Sequence, residues 1–406
     1  VTAPDVDTES LRRCVGDPDR FAEQVWGRRV MVHGPTPDGF EDLLGLDDVD
    51  RLLSGYGLRT PAFRLVREGR VLPSSEYTQS ARIGNAPMSG IADPARVFSA
   101  VEQGATLVLQ GLQRYWPPLT RFCRSLELAL GHSCQVNAYL TPPGSQGFHP
   151  HSDTHDVFVL QAFGRKTWQI WPAPAEHGGS GNTGEGPDED GTADEHAADN
   201  VELVPGTAVY LPTGTRHAAR TQHTLSGHLT VGIHPTRWRQ VLERALTQLL
   251  DDPALEAPLP VGFHRDTEAL ATQLGERLEE LGTRLEKLDA RDVTDDLADR
   301  FLTGRPSLLH GGLVDRMRLA TLDDDTRLRR RPGAVCEIRS GGTDPVRVLL
   351  GDRELRVPGW VEPAMREIAA GSTLTARDLA SHLDPASRLV LLRRLVREGL
   401  LEVTDG

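Results

Sequence analysis

The sequence predicts a mainly β domain, a barrel or sandwich, followed by an α-helical segment and a small winged-helix-like module. Three observations carry this. Between about Gly104 and Pro235 the chain is a succession of short β-branched and aromatic runs separated by Gly, Pro and Ser, the pattern of many short strands joined by turns. From Trp238 the apolar residues recur at steps of three and four, the spacing of helices. From about Leu308, three strand-like runs precede three helix-like ones and a closing strand. With 406 residues, 38% of them hydrophobic, the chain is long enough for two or three cores. We place the domain boundaries at 1–235, 236–307 and 308–406.

Residues 9 to 26 read as a helix opened by Ser10 and carrying Leu11, Cys14, Phe21, Val25 and Trp26, after which WGRRVMVHG turns to a short strand. In the middle region ATLVLQGL, CQVNAYL, HDVFVLQAF, KTWQIW, VELVPG, AVYLP and HLTVGIH are the expected strands, with one helix over Thr120 to Leu130. The acidic, glycine-rich stretch 176–200 lacks apolar periodicity and is expected to be a surface loop, with His177 and His196 either solvated or on a substrate lip. Trp238 to Leu250 reads as a helix and Thr267 to Leu288 as a longer one. In the second, Leu274, Leu278, Leu281, Leu285 and Leu288 alternate steps of four and three, a narrow seam of the coiled-coil kind. A homodimer contact through 267–288 is the expectation, and packing against the barrel the alternative. The tail then supplies strands CEIRS, VRVLLG and ELRV, helices at 361–370, 375–383 and 385–398, and the strand LLEV. In such a module Arg388, Arg393, Arg394 and Arg397 would be the DNA reader. They are interleaved with Leu389, Val390, Leu391, Leu392, Leu395 and Val396 in a chain of net charge −13, so DNA binding is not expected.

Composition narrows the class further. No window approaches eighteen apolar residues, and VTAPDVDTESLRRC has neither the basic start nor the apolar stretch of a signal peptide, so no membrane span and a cytoplasmic location are expected. Cys14, Cys123, Cys134 and Cys336 fit neither a zinc spacing nor a disulfide framework and are expected to be ordinary thiols. Of the 45 basic residues only Lys166 and Lys287 are lysine. Wherever either cation would serve, this chain uses arginine.

The chemistry concentrates in TPPGSQGFHPHSDTHDVFVLQAFGRKTW, residues 141–168, where three histidines and two aspartates fall within eight residues. In an extended stretch His151 and Asp153 share one face, so an imidazole and a carboxylate reach the same point. A third group comes from GTAVYLPTGTRH, where an apolar strand feeds a tight turn that presents His217. Two histidines and a carboxylate leave open positions on an octahedral ion, the arrangement of non-heme Fe(II) oxygenases, whereas a structural zinc takes four protein ligands. A chelating 2-oxo acid and O2 would fill the open positions.

The longer stretch NAYLTPPGSQGFHPHSDTHDVFVLQAFGRKTWQIW resembles the JmjC-type 2-oxoglutarate oxygenases of the cupin superfamily, specifically the ribosomal oxygenase branch, whose members carry TPPxSQGFxPHxDxxDVFVLQxxGxKxW. GTAVYLPTGTRHAA resembles that family's GDxLYxPxGxxHxA, departing at Thr207, where the family usually has Asp. The resemblance implies a double-stranded β-helix, the cupin/JmjC jelly roll, with a helical dimerisation segment and a C-terminal winged-helix-like domain. It implies His151, Asp153 and His217 as Fe(II) ligands, with no catalytic residue beyond the metal centre. Lys166 matches the residue that pairs with the distal carboxylate of 2-oxoglutarate. The scarcity of lysine supports that match independently. Asn137 and Tyr139, alternating on one strand, match positions near the co-substrate and the substrate respectively. His228 matches a histidine packed near the site, while His149, His155 and His223 have no assigned role.

The activity so implied is Fe(II)- and 2-oxoglutarate-dependent hydroxylation of a protein side chain by O2, an arginine or histidine of a ribosomal protein in particular. Succinate and CO2 are the by-products. A small molecule or peptide natural product is the alternative substrate. A ligand-sensing DNA-binding regulator and a cupin holding an inert metal are the readings from other classes, and in both Lys166 has no evident purpose.

Overall fold

Asp17 and Pro18 decide the first element: the Asp17 carboxylate accepts the N–H groups of Asp19 and Arg20, and Pro18 occupies the first helical position. The computed structural model, which describes residues 8–145, 148–171, 198–220, 223–340, 345–371 and 373–404, therefore has two helices over 9–26 where one is expected. These are α1 (Glu9–Val15) and α2 (Pro18–Gln24). Gly16 between them sits at φ +75°, a conformation that ends a helix at little steric cost.

The chain separates into two units, Val1–Pro235 and Thr236–Gly406. The first continues with β1 (Met31–His33), α3 (Leu46–Gly55), β2 (Phe63–Arg67), β3 (Arg70–Val71), β4 (Thr78–Ile83), β5 (Ala86–Ala92), α4 (Pro94–Glu102), β6 (Thr106–Leu109), α5 (Pro117–Leu130) and β7 (Ser133–Thr141). Seven more strands follow: β8 (His151–Ser152), β9 (Asp156–Phe163), β10 (Lys166–Ile170), β11 (Asp199–Leu203), β12 (Ala208–Leu211), β13 (Arg216–Arg220) and β14 (Ser226–His234). They form an antiparallel eight-stranded sheet, β1-β12-β9-β14-β7-β6-β2-β3, and a four-stranded one, β11-β10-β13-β8. This is the double-stranded β-helix. Residues 172–197 fall outside the described ones, and with them His177, His196 and nearly all of the expected acidic loop.

Alternation along the strands gives the large sheet two different faces. On one, Leu65, Leu107, Leu109, Val136, Ala138, Leu140 and Leu229 join Leu11, Leu52, Leu119 and Phe122 of the helices in the main core. On the other, Val157, Val159, Val209 and Leu211 meet Trp168, Ile170 and Leu203 of the small sheet in a second core. Further along that inner face the register replaces apolar residues by polar ones, pairing Thr141 with Ser226, Tyr139 with His228, Asn137 with Thr230 and His228 with Gln161. One end of the barrel is thus sealed, and the other is lined for chemistry.

The second unit contains α6 (Trp238–Leu250), α7 (Thr267–Glu286), α8 (Ala290–Thr303), α9 (Gly312–Arg318), β15 (Leu328–Arg330), β16 (Glu337–Arg339), β17 (Val346–Leu350), β18 (Arg353–Val357), α10 (Glu362–Ala370), β19 (Thr373–Leu374), α11 (Pro385–Glu398) and β20 (Leu401–Val403). Two three-stranded sheets, β19-β15-β20 and β16-β17-β18, share a core with α10 and α11 through Leu328, Val348, Met365, Leu392, Leu395 and Leu401. The helix expected over 375–383 shrinks to a 3₁₀ stretch at Ala376–Ser381, where the Asp378 carboxylate turns back to accept the Thr375 N–H. On α11, Arg388 is buried and paired with Asp324, Arg393 donates to the Leu322 carbonyl, and Arg394 pairs with Glu398. The four cysteines are free thiols, three of them buried. Among the described residues no helix is long and apolar enough to cross a membrane.

Candidate metal centre

β13, which the sequence reading leaves as a turn, is the strand that assembles the site. Antiparallel pairing places His217 opposite His151 of β8 and opposite Ile170 of β10. His217 therefore stands on a strand just past the turn rather than in it. β8 is also shorter than expected, ending at Ser152, so Asp153 is held beyond the strand by its carbonyl, which accepts the Gly214 N–H at 2.9 Å. The two sequence-distant stretches are thereby tied by backbone at the point where their side chains meet.

Each of His151, Asp153 and His217 offers one ligand atom, and these atoms all lie within 4.8 Å of one another. His217 Nε2 is 3.7 Å from Asp153 Oδ2. The Nδ1 atom of His151 is 2.9 Å from the His149 carbonyl, and that of His217 is 2.9 Å from the Thr215 carbonyl. A carbonyl only accepts, so both rings present an N–H at Nδ1, which leaves Nε2 as the ligand atom of each. Burial, with His151 as the second cause, lowers the pKa of His217. Two imidazoles and one carboxylate are a donor set that fits a first-row divalent ion and leaves coordination positions to be filled.

The turn that delivers His217 is itself anchored. Asp156, buried at the head of β9, accepts the Tyr210 hydroxyl, the Thr213 N–H and the Thr213 hydroxyl, while the Thr215 hydroxyl donates to the Pro212 carbonyl at 2.7 Å. These bonds fix residues 212–215 from below.

Lys166 lies in the same interior, 4% exposed, its Nζ donating to Thr141 Oγ1 at 3.0 Å. Thr141 is in turn 3.2 Å from Thr106 Oγ1. Burial alone pulls the lysine pKa down to about 7. Tyr139 stacks on His228 at 5.0 Å, and Trp168 lies edge-on to His228 and stacked with His217. Burial, then Lys166 and His217, hold the His228 pKa well below the ordinary value. Trp168 Nε1, His228 Nδ1 and Gln161 Oε1 are buried without a partner among the described residues, and such atoms are rare where nothing polar is to be bound. Asn137 uses its Oδ1 to accept the Gly111 N–H at 3.0 Å, a role in shaping the turn after β6.

The other histidines are elsewhere. His149 packs against Gly69, His155 pairs its ring with His234, and His223 is exposed. Thr141, Trp168 and Asp156 belong to the site or its support without being singled out by sequence. Thr141 was the most accessible of them, since the alternation of Asn137 and Tyr139 reaches it two residues on. At Thr207 the family's Asp is replaced by a hydroxyl that accepts the Val204 N–H at 3.4 Å, which keeps that turn closed.

Residues 110–241 match the model of the JmjC domain. Ribosomal oxygenase 1 of Rattus norvegicus is 32% identical over 236 residues, 56% of this chain and 37% of that protein. A bifunctional lysine-specific demethylase and histidyl-hydroxylase NO66 of Culex quinquefasciatus is 27% identical over 357 residues, covering 82% of this chain and 51% of its own length. The chain thus spans between a third and about half of these curated relatives. Among solved structures, the Escherichia coli ribosomal oxygenase YcfD superposes with a TM-score of 0.54 at 19% identity, covering 95% of this chain and 98% of that one. YcfD in complex with cobalt and 2-oxoglutarate gives 0.54 at 18% identity, over 96% and 98%. The His-Asp-His grouping lies inside the segment that matches the JmjC domain, and over that segment and its flanks the chain is similar to ribosomal oxygenases.

Proposed function

We propose that the protein is a 2-oxoglutarate-dependent dioxygenase that hydroxylates a protein side chain, an arginine or histidine of a ribosomal protein. The observation that carries the reading is Lys166, a buried cation close to an open His-Asp-His site, with a hydroxyl rather than a carboxylate as its hydrogen-bond partner. A buried ammonium is costly unless an anion accompanies it, and the distal carboxylate of 2-oxoglutarate is such an anion. His151, Asp153 and His217 would hold Fe(II), and Asn137 would border the co-substrate.

When bound, iron with 2-oxoglutarate and O2 supplies an oxidant able to hydroxylate a C–H bond, the co-substrate leaving as succinate and CO2. The chain's own share is placement. The backbone carbonyls of His149 and Thr215 aim the two Nε2 atoms, Lys166 with Thr141 orients the co-substrate, and Tyr139 borders the path of the substrate side chain. The sealed apolar end of the barrel excludes water from one side. The leucine stripe of α7 is read as a homodimer contact.

The test has two arms. Succinate formation from 2-oxoglutarate should be Fe(II)-dependent and fall at least about a hundredfold in His151→Ala, the order expected when a group acting as part of a unit is removed. Mass spectrometry of ribosomal proteins from cells with and without the gene should then show one oxygen gained at a specific residue. Succinate formation with unchanged ribosomal proteins would redirect the reading to another substrate.

A further inference from the structure

Across the large sheet the register sets Arg64 of β2 opposite Val108, Val108 opposite Tyr139, and Tyr139 opposite His228. Directly opposed residues share a face, so Arg64 points into the same interior as Tyr139 and His228. Its neighbours Phe63 and Leu65 point the other way, into the main core. The guanidinium carbon lies 5.8 Å from the centre of the Phe148 ring, which is 5.8 Å from the Tyr139 ring and 6.0 Å from that of His151. The hairpin turn beside Arg64 touches the same loop, for a Cβ added at Gly69 would lie 2.3 Å from the His149 ring. Arg64 therefore stands at the rim of the site, against the loop that carries His151 and Asp153.

Its Nε is buried with no hydrogen-bond partner among the described residues, where Arg64 also makes no ion pair within 4.0 Å. Arg13, Arg244 and Arg347, by contrast, each hold a carboxylate. The cation–π contact with Phe148 holds the guanidinium beside that loop, and its planar fork is suited to gripping a carboxylate through two parallel hydrogen bonds. Lys166 donates to Thr141, two residues along β7 from Tyr139, and is already assigned to the co-substrate. Arg64 is thus a second cation at the site with no task in the reaction.

We propose that Arg64 is a specificity-determining residue, which grips the carboxylate of an Asp or Glu of the substrate polypeptide close to the residue being hydroxylated. This rests on the reading that the substrate is a protein. The net acidity of the chain disfavours such a group at long range, and Arg64 makes the rim the place where it is accepted.

The experiment offers a positional-scanning peptide library, built around a central arginine or histidine, to the iron-loaded full chain with 2-oxoglutarate. Oxygen incorporation per peptide is read by mass spectrometry and divided by the succinate that the same variant forms. The wild type should favour Asp or Glu over Ala by about tenfold at one flanking position, the factor corresponding to 1.4 kcal/mol. Arg64→Lys should keep a weakened form of that preference, and Arg64→Glu should invert it toward Lys or Arg, an inversion that partial unfolding cannot produce. Hydroxylation with no acidic preference, or with a preference that survives Arg64→Glu, overturns the assignment of Arg64 alone. Succinate formation without hydroxylation of any peptide overturns the protein-substrate reading, and the assignment with it.

Discussion

A lysine shut away from water keeps its charge only when an anion shares its site. Burial draws the pKa of Lys166 from 10.5 down to about 7, so above that pH the free protein holds a neutral amine. The proposed complex holds an ammonium against the carboxylate of 2-oxoglutarate, and binding above pH 7 must therefore take up a proton. Steady-state kinetics should show the KM for 2-oxoglutarate rising between about pH 7 and 9, by up to about tenfold per unit, with no contribution from this group below 7. Lys166→Arg remains cationic throughout and should flatten the rise. A wild-type KM independent of pH over that range would show that Lys166 does not hold the co-substrate. At this scale the sequence already singles out the lysine by its rarity and the triad by its spacing. Trp168 escapes notice because its partners His217 and His228 come from strands distant in sequence, and only their pairing brings the three rings together.

On α7 the stripe reads directly from periodicity, and Leu274, Leu278 and Leu285 remain 56%, 57% and 51% exposed, no residue of the helix being buried in its own chain. An exposed row of leucines at heptad spacing is the surface a second copy would cover. Leu278→Asp with Leu285→Asp should weaken self-association at least about a hundredfold by sedimentation velocity, since each leucine contributes roughly 1.5–3 kcal/mol when buried. A wild-type protein that sediments as a monomer at tens of micromolar would remove the dimer reading. Elements with strong periodicity, such as β7, β9, β14, α6 and α7, are legible in this way. The failures are short elements decided by one or two side chains: the break between α1 and α2 turns on the Asp17 cap, and β13, RHAAR, has no alternation of its own and is a strand because β10 and β8 flank it. A two-residue β8 lies below any period that could be counted.

The two units carry separate cores. Residues of Val1–Pro235 supply the main core and the inter-sheet core, and those of Thr236–Gly406 supply a third built on α10, α11 and their sheets. All the residues grouped at the candidate metal centre, and Lys166, belong to the first unit. A ligand that binds there stabilises only the fold that forms the site, by RT ln(1 + [L]/Kd), about 2.7 kcal/mol at a hundredfold excess over Kd. For a unit of this size that corresponds to a rise of roughly 5–10 °C in its midpoint. Calorimetry of the full chain should therefore resolve two transitions, of which Mn(II) with 2-oxoglutarate raises one and leaves the other in place. His151→Ala should abolish the shift while preserving both transitions. Equal displacement of both transitions, or a single transition moving as a whole, would mean that the units unfold cooperatively and that the site draws its stability from the entire chain.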